Sequence, residues 1–420
     1  MTTMLAARRI AKGSAVTLAF ALAAEGRAQV APLDGHTFNP PARTITLSVA
    51  SELLYDTNVA RGSEEVATLR GLDRKDVRSS TVAAIDLSLP GGRGSFDLLG
   101  QVGYDAYARN SRLDRERIDL SAAGKLSVAF CGVNAGLGYR RGQSDLADLS
   151  LVANLPDGAA VNVQTVSRAD LSLTCGPQIG VRPFASIGHV DTANSAAVRQ
   201  VQDVTQTHYA AGLAYVNPAV GIVSVVVRRT TFDYDRRSVD SSLGPPRFRV
   251  SYAGVGFDRR LGAALQMTAS IGYAAVSEPA MPSARRLNGL NWDLATSLRL
   301  ADTARLTLRT SRTIDAAPGT FANQIRRSSY GGTIVYALGP ALRFDATASL
   351  MTRNFEFGAA PRPLQLIDDT TQDYALGMEY RRERARVRLT AAYRRRDATP
   401  DLYDFSGFLL SLGVRYELER

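Results

Sequence analysis

Between Ile118 and Tyr139 the chain alternates apolar and polar residues at a period of two. Ile118, Leu120, Ala122, Gly124, Leu126, Val128 and Phe130 fall on one side; Asp119, Ser121, Ala123, Lys125, Ser127, Ala129 and Cys131 fall on the other. Successive side chains of a strand point to opposite faces, so this is a strand with one apolar and one polar face. A tight turn at Cys131, Gly132 and Val133 predicts a hairpin, since Val133, Ala135, Leu137 and Tyr139 then resume the apolar face. Each arm is long enough to cross a bilayer, which takes about 9 to 11 residues of tilted strand.

The same unit recurs along the chain: long polar loop, strand, short turn, strand. Arg43 to Tyr55 carries Ile45, Leu47, Val49 and Leu53 on one face. A return strand with Val77, Ala83, Ile85, Leu87 and Leu89 stops at the breakers Pro90-Gly91-Gly92-Arg93-Gly94. Phe96, Leu98, Val102 and Tyr104 form the next apolar face. Beyond the opening hairpin a long loop, about Gly142 to Val161, precedes Val163, Ala169, Leu171 and Leu173. The strand through Ile179, Val181, Pro183, Ala185 and Ile187 is the weakest, because proline cannot donate to a ladder. Tyr209 to Tyr215, Val223 to Val227, Phe248-Val250-Tyr252 and Leu265 to Tyr273 continue the pattern. So do Leu290 to Leu298, Leu306 to Thr310, Tyr330 to Leu338, Leu342 to Leu350, Tyr374 to Tyr380, Val387 to Tyr393 and Phe408 to Leu418.

About 18 strands result, with 16 to 18 as the range, each taking roughly 22 residues with its connection. An even strand number with short turns alternating against long loops predicts an all-β fold, a transmembrane antiparallel up-and-down β-barrel over residues 43–420. Propellers and sandwiches lack that asymmetry of loop length. Tyrosines supply an independent sign. Tyr104, Tyr139, Tyr209, Tyr215, Tyr252, Tyr273, Tyr330, Tyr336, Tyr374, Tyr380, Tyr393 and Tyr416 sit on the apolar faces, mostly near strand ends, as interfacial girdles require.

Composition narrows the class. Mean hydropathy is close to zero, and no run of about 18 apolar residues occurs, which excludes an α-helical membrane protein but not a barrel with a polar bore. The N-terminus reads as an export signal over residues 1–28: basic Arg8, Arg9 and Lys12, an apolar stretch from Ser14 to Ala24, and Gly26-Arg27-Ala28 as the cleavage site, with Ala21-Leu22-Ala23 as a second one. Residues 29–42, with Pro32, Pro40 and Pro41, read as a periplasmic lead-in. The formal net charge is +10, and removal of the signal leaves about +7. Basic runs such as Arg394-Arg395-Arg396 lie at strand ends without stacking aromatics, so nucleic acid is not an expected partner.

The polar faces point into the bore. Early strands place Asp86, Asp97, Asp105, Asp119 and Lys125 there. Later strands place a basic wall of Arg249, Arg299, Arg305, Arg309, Arg343, Arg353, Arg381, Arg386, Arg388 and Arg394. Such a wall attracts anions, and the guanidinium fork suits carboxylates and phosphates. Pairing of these arginines with inward acids is the competing structural account for any single residue. Cys131 and Cys175 sit in similar turn settings, and an exported compartment permits a disulfide between them. Placed on strands separated by one other, they would stand roughly 9.6 Å apart, beyond the ~7 Å a disulfide spans; a bridge and two separate thiols both stay open.

Catalytic chemistry is thin. His36, His189 and His208 have no metal-site spacing, and a Ser-His-Asp arrangement around His208 has no local motif behind it. Asp368-Asp369 reads as solvated loop charge. The expectation is no enzyme, no metal and no cofactor.

Ser51-Glu52-Leu53-Leu54-Tyr55-Asp56-Thr57-Asn58-Val59 resembles the first strand of the β-barrel porin 2 family of proteobacterial outer-membrane proteins. The resemblance implies a Gram-negative outer-membrane barrel associated with exopolysaccharide production and secretion. The expected function is a channel or exporter for anionic solutes, an acidic polysaccharide being the sharper version; a structural or adhesive barrel with an occluded lumen is the alternative. Expected partners are outer-membrane lipid and lipopolysaccharide, the barrel-assembly machinery, and an anionic polysaccharide or periplasmic export components. The assembly signal has to be read from Tyr416 and Leu418, because the chain ends Glu419-Arg420 and not in an aromatic.

Overall fold

A computed structural model describes residues 43–144, 146–147, 161–237, 246–262, 264–277, 288–316, 324–356 and 366–419. The expected export signal and lead-in lie outside these. Among the described residues the first nine strands are β1 (Thr44–Asp56), β2 (Asp76–Gly91), β3 (Gly94–Tyr107), β4 (Arg115–Val128), β5 (Cys131–Gln143), β6 (Val163–Cys175), β7 (Gly180–Asn194), β8 (Val204–Asn217) and β9 (Gly221–Asp233). The rest are β10 (Arg247–Leu261), β11 (Leu265–Ser277), β12 (Gly289–Ala301), β13 (Ala304–Ala316), β14 (Gln324–Leu338), β15 (Leu342–Glu356), β16 (Asp368–Arg382), β17 (Ala385–Thr399) and β18 (Phe405–Glu419). Each pairs antiparallel with the next, and β18 returns to pair with β1, so the 18-stranded sheet closes on itself. Closure leaves no edge strand.

Alternation sorts the side chains onto two surfaces. The outward set is apolar and open to its surroundings: Leu53 is 54 % exposed, Leu137 63 %, Val227 60 % and Leu376 65 %. In water each would forgo roughly 1.5–3 kcal/mol of burial; in a bilayer the same band is buried by lipid. Tyr104, Tyr209, Tyr215, Tyr273, Tyr330, Tyr336, Tyr374, Tyr380, Tyr393 and Tyr416 belong to this surface and are 42–54 % exposed. Short turns join the strands at one end, and longer connections join them at the other, where one carries α1 (Glu64–Leu69), capped by the Ser63 hydroxyl accepting from the Val66 amide. By the usual rule the short-turn end is periplasmic and the long-loop end extracellular.

Several expectations change in detail. The turn of the β4–β5 hairpin is Ala129-Phe130, two residues before the expected one, because Val128 pairs with Cys131; Ala129 takes the left-handed conformation (φ 52°). Cys131 therefore opens β5 and Cys175 closes β6, not strands separated by another. The two are direct partners on neighbouring strands, disulfide-bonded, with Cα atoms 4.0 Å apart. Pro183 is accommodated because the β6–β7 ladder ends at Thr174 opposite Phe184, so the missing donor falls just beyond it. Phe248, Val250 and Tyr252 face inward rather than to lipid. They are 0–8 % exposed, whereas Val255 of opposite parity on β10 is 48 % exposed. Tyr252 is thus not part of the girdle. It lies against a wall thinned by glycine: a Cβ on Gly272 would meet the Tyr252 ring at 2.5 Å.

The Asp-Thr-Asn corner after β1 is built into the closure of the ring. Asn58, fully buried, donates from Nδ2 to the carbonyls of Gly62 and Ser406, both at 3.0 Å, and its amide donates to Asp56 Oδ1 at 2.8 Å. The Thr57 amide donates to Phe408 O at 3.0 Å, and the Phe408 amide donates back to Thr57 Oγ1 at 2.8 Å. Arg61 completes the corner through a 2.8 Å ion pair with Asp56. Asn58→Ala strips partners from buried carbonyls, at about 1–3 kcal/mol each. It is expected to lower the temperature at which the barrel loses its compact mobility on SDS gels by more than an exposed control such as Asn354→Ala. Cys131→Ser should lower the same temperature, since a disulfide joining residues separated by 44 positions contributes about 4 kcal/mol in the chain-entropy account.

Candidate functional site

The inner wall is divided into sectors by the registers that close the barrel. On β2–β4 it is mixed in charge: Asp86, Asp97, Asp105 and Asp119 share the inward parity with Arg78, Arg117 and Lys125, Asp97 accepts from Ser88 Oγ at 2.7 Å and Asp105 lies 3.9 Å from Arg117. On β7–β11 it is apolar, built from Phe184, Ala214, Val226, Phe248, Val250, Tyr252, Ala274 and Val276, all buried. This apolar sector is absent from the sequence reading. Arg228 lies over the Tyr252 ring, 5.0 Å from its centroid. On β12–β17 the wall is basic.

The candidate arginines separate into three groups. Arg249 does not line the bore: it shares the parity of Val255 and points outward, which corrects its expected place. Arg309, Arg353, Arg388 and Arg394 face inward but are matched by acids. Arg309 meets Asp293 at 3.1 Å, Arg388 meets Asp345 at 2.9 Å and Glu379 at 3.9 Å, and Arg394 pairs with Asp373. Arg299, Arg305, Arg343 and Arg381 face inward and form no ion pair among the described residues. Each stands near a periplasmic turn, and three of them stand opposite another arginine: Arg299 and Arg305 face each other, and Arg381 faces Arg386. Like charges directly opposite on a sheet repel. Arg386 is neutralised by Glu417, whereas no acid among the described residues pairs with Arg299 or Arg305.

Toward the extracellular mouth the pairing becomes a buried network. Asp369, expected in a solvated loop, starts β16 with its side chain fully buried. It accepts from Arg353 Nε at 2.9 Å and Nη2 at 2.6 Å, and lies 2.6 Å from Arg396 Nη2. Arg396 also donates from Nη1 to the Ala147 carbonyl at 2.8 Å, and Arg70, from the α1 loop, donates to the neighbouring Leu146 carbonyl at 3.2 Å. The first residues of the connection after β5, Leu146 and Ala147, are thus held by arginines of β17 and of the α1 loop. Leu146 joins Val59, Ala60, Ala67, Leu72 and Leu113 in a buried cluster under α1. Nearby, Tyr403 sits between these loops, and burial pushes its phenol above the usual range. In the run Arg394-Arg395-Arg396 alternation turns Arg394 and Arg396 inward, while Arg395 pairs outside with Asp397 at 2.8 Å.

Among the histidines, His208 faces the bore 3.7 Å from Asp170, and His189 faces outward with Nδ1 3.2 Å from Thr207 Oγ1; His36 lies outside the described residues. Among the described residues no group of three His, Cys, Asp or Glu side chains is placed to hold a metal.

A closed ring with a lipid-facing apolar band, tyrosine girdles and a charged bore decides the class. The chain is an outer-membrane β-barrel. It is similar in fold to OccK2 (OpdF) of Pseudomonas aeruginosa, solved in complex with glucuronate, at 15 % identity and TM-score 0.47, covering 90 % of this chain and 98 % of that one. It is also similar to a BenF-like porin from Pseudomonas fluorescens Pf-5, at 11 % identity and TM-score 0.47, covering 90 % and 99 %. A third similar structure is Pseudomonas aeruginosa OpdK with vanillate, at 12 % identity and TM-score 0.45, again covering 90 % and 99 %. No family model matches the sequence, and no curated protein matches it.

Asp369→Asn leaves Arg353 and Arg396 buried against a neutral amide. Breaking a buried pair costs about 3–5 kcal/mol, and urea unfolding in detergent is expected to show a loss of that order. Asp373→Asn, in a more open pair, should cost visibly less.

Proposed function

We propose that the barrel is a passive channel for anionic solutes. The observation that carries this reading is the row of inward, unpaired arginines at the periplasmic end, Arg299, Arg305, Arg343 and Arg381, with Arg299 and Arg305 directly opposed. A protein that used these residues only to tie its wall together would neutralise them, as it does Arg309, Arg388 and Arg394. Unneutralised guanidinium groups on a water-filled wall raise the local anion concentration and offer a fork to each carboxylate or phosphate that passes. The apolar sector beside the basic one favours a solute that carries charge on one edge and carbon on another.

The sharper version is export of an acidic exopolysaccharide, whose carboxylates the cluster of forked cations at the periplasmic end would meet on entry. It gains little from the resemblance of Ser51 to Val59, because the Asp56 to Asn58 part of that segment is used in closing the barrel. A second reading, a structural barrel with an occluded bore, is supported by the anchoring of Leu146 and Ala147, just after β5, to arginines of β17 and of the α1 loop, and by the burial of the inward apolar sector.

Planar-bilayer recording of the purified protein under a salt gradient tests these readings. The expected result is a conducting, anion-selective pore whose selectivity falls in an Arg299→Ala, Arg305→Ala variant. A cation-selective pore would sink the proposal, and an absence of conductance would select the occluded barrel. A polyuronate that blocks the current where neutral dextran of equal length does not would support the polymer version.

A further inference from the structure

The outer surface carries an arginine pattern that a role in the bore does not use. Arg229 on β9 has the parity of Val225 and Val227, which are 50 % and 60 % exposed to lipid, and Arg249 on β10 has that of Val255. Arg229 stands opposite Ser251 and Arg249 opposite Thr231, so the two arginines are diagonal neighbours, with Cα atoms about 7–8 Å apart. The β13–β14 hairpin repeats this arrangement. Arg312 stands opposite Ser328 and Arg326 opposite Ile314, a second diagonal pair on the same surface. Both pairs lie the same short distance below the extracellular ends of their strands, and both have a tyrosine close by: Tyr209 is the cross-strand partner of Arg229, and Tyr330 lies on β14 below Arg326.

None of these arginines forms an ion pair or a side-chain hydrogen bond among the described residues; Arg312 rests over the Trp292 ring, 5.3 Å from its centroid. Other outward arginines of the same zone are matched, Arg141 by Glu116, Arg247 by Asp233 and Arg395 by Asp397. An unpaired guanidinium turned toward hydrocarbon is costly, and becomes favourable only at headgroup depth beside an anion. Beneath the first pair lie Val255 and Ile271, and beneath the second Leu308 and Ile334, 42–50 % exposed, an apolar floor for acyl chains.

From this we infer that the Arg229/Arg249 and Arg312/Arg326 pairs are binding sites for the phosphate groups of the phosphorylated glycolipid of the outer leaflet, lipopolysaccharide. Each phosphate is held between two forks from adjacent strands, and its acyl chains lie against the apolar band. The inference is independent of what passes through the bore.

Trp292 is the chain's single tryptophan and reports on the second pair directly. The purified full-length barrel, freed of divalent cations with a chelator, is titrated in detergent with purified lipopolysaccharide. Trp292 fluorescence and bound glycolipid by native mass spectrometry are followed together. Saturable binding with a fluorescence change is expected. Each double substitution, Arg229→Gln with Arg249→Gln or Arg312→Gln with Arg326→Gln, should weaken binding about tenfold or more, and only the second should abolish the fluorescence change. Dephosphorylated glycolipid should bind as weakly as the doubly substituted protein. Arg395→Gln, outside the two pairs, should bind as the parent does, and heat-dependent gel mobility verifies the fold of every variant. Undetectable binding, or binding indifferent to both double substitutions or to removal of phosphate, would overturn the assignment.

Discussion

A strand in a bilayer has no water to satisfy its amides and carbonyls, and every other feature of this barrel follows from that constraint. The ring can exist only if the last strand finds the first, so β18 is held to β1 along most of its length. The Thr57 and Asn58 corner extends that seam past the end of the ladder, fastening the first extracellular loop to Phe408 and Ser406 of the last strand. A short polar segment near the start of the barrel thus has a structural task that can be stated bond by bond.

Once the ring is closed, alternation assigns each residue to lipid or bore, and the chemistry of the bore is decided by which inward charges meet. The basic sector is not a uniform ladder. Near the extracellular mouth the arginines are consumed in pairs and in the buried Arg353, Asp369 and Arg396 network, whose second task is to hold the chain just after β5 at the Ala147 carbonyl. Near the periplasmic turns Arg386 is matched by Glu417, whereas Arg299, Arg305, Arg343 and Arg381 meet no acid among the described residues. The same distinction on the outer surface separates paired from unpaired arginines at one depth.

Fold class was legible in the sequence because its signal is local and repeated: the period of two, the short turns and the tyrosines near strand ends can each be read without knowing any partner. The reading failed where a strand carries apolar residues on both faces. From Arg247 to Val255 the chain alternates Phe248, Val250 and Tyr252 against Arg249, Ser251 and Ala253, and the apolar series was assigned to lipid. Its neighbours overrule that choice. The outward Val225 and Val227 of β9 and the outward Ile271 and Tyr273 of β11 force the register that turns Arg249 out and the aromatics in. Asp369 was misplaced for a related reason, since the start of a strand after a long loop has too few alternating residues to announce itself.

By itself the sequence determined that this chain forms an outer-membrane barrel, how its strands are spaced and that its polar face becomes basic in the second half. Each of these is a property of neighbours along the chain. Tertiary structure alone decided which arginines are neutralised, which side of the wall is apolar, that Cys131 lies beside Cys175, and that the chain just after β5 is held by an arginine of β17. Those are meetings between residues far apart in sequence, set by cross-strand register, where a slip of one residue exchanges the lipid and bore faces of a whole strand.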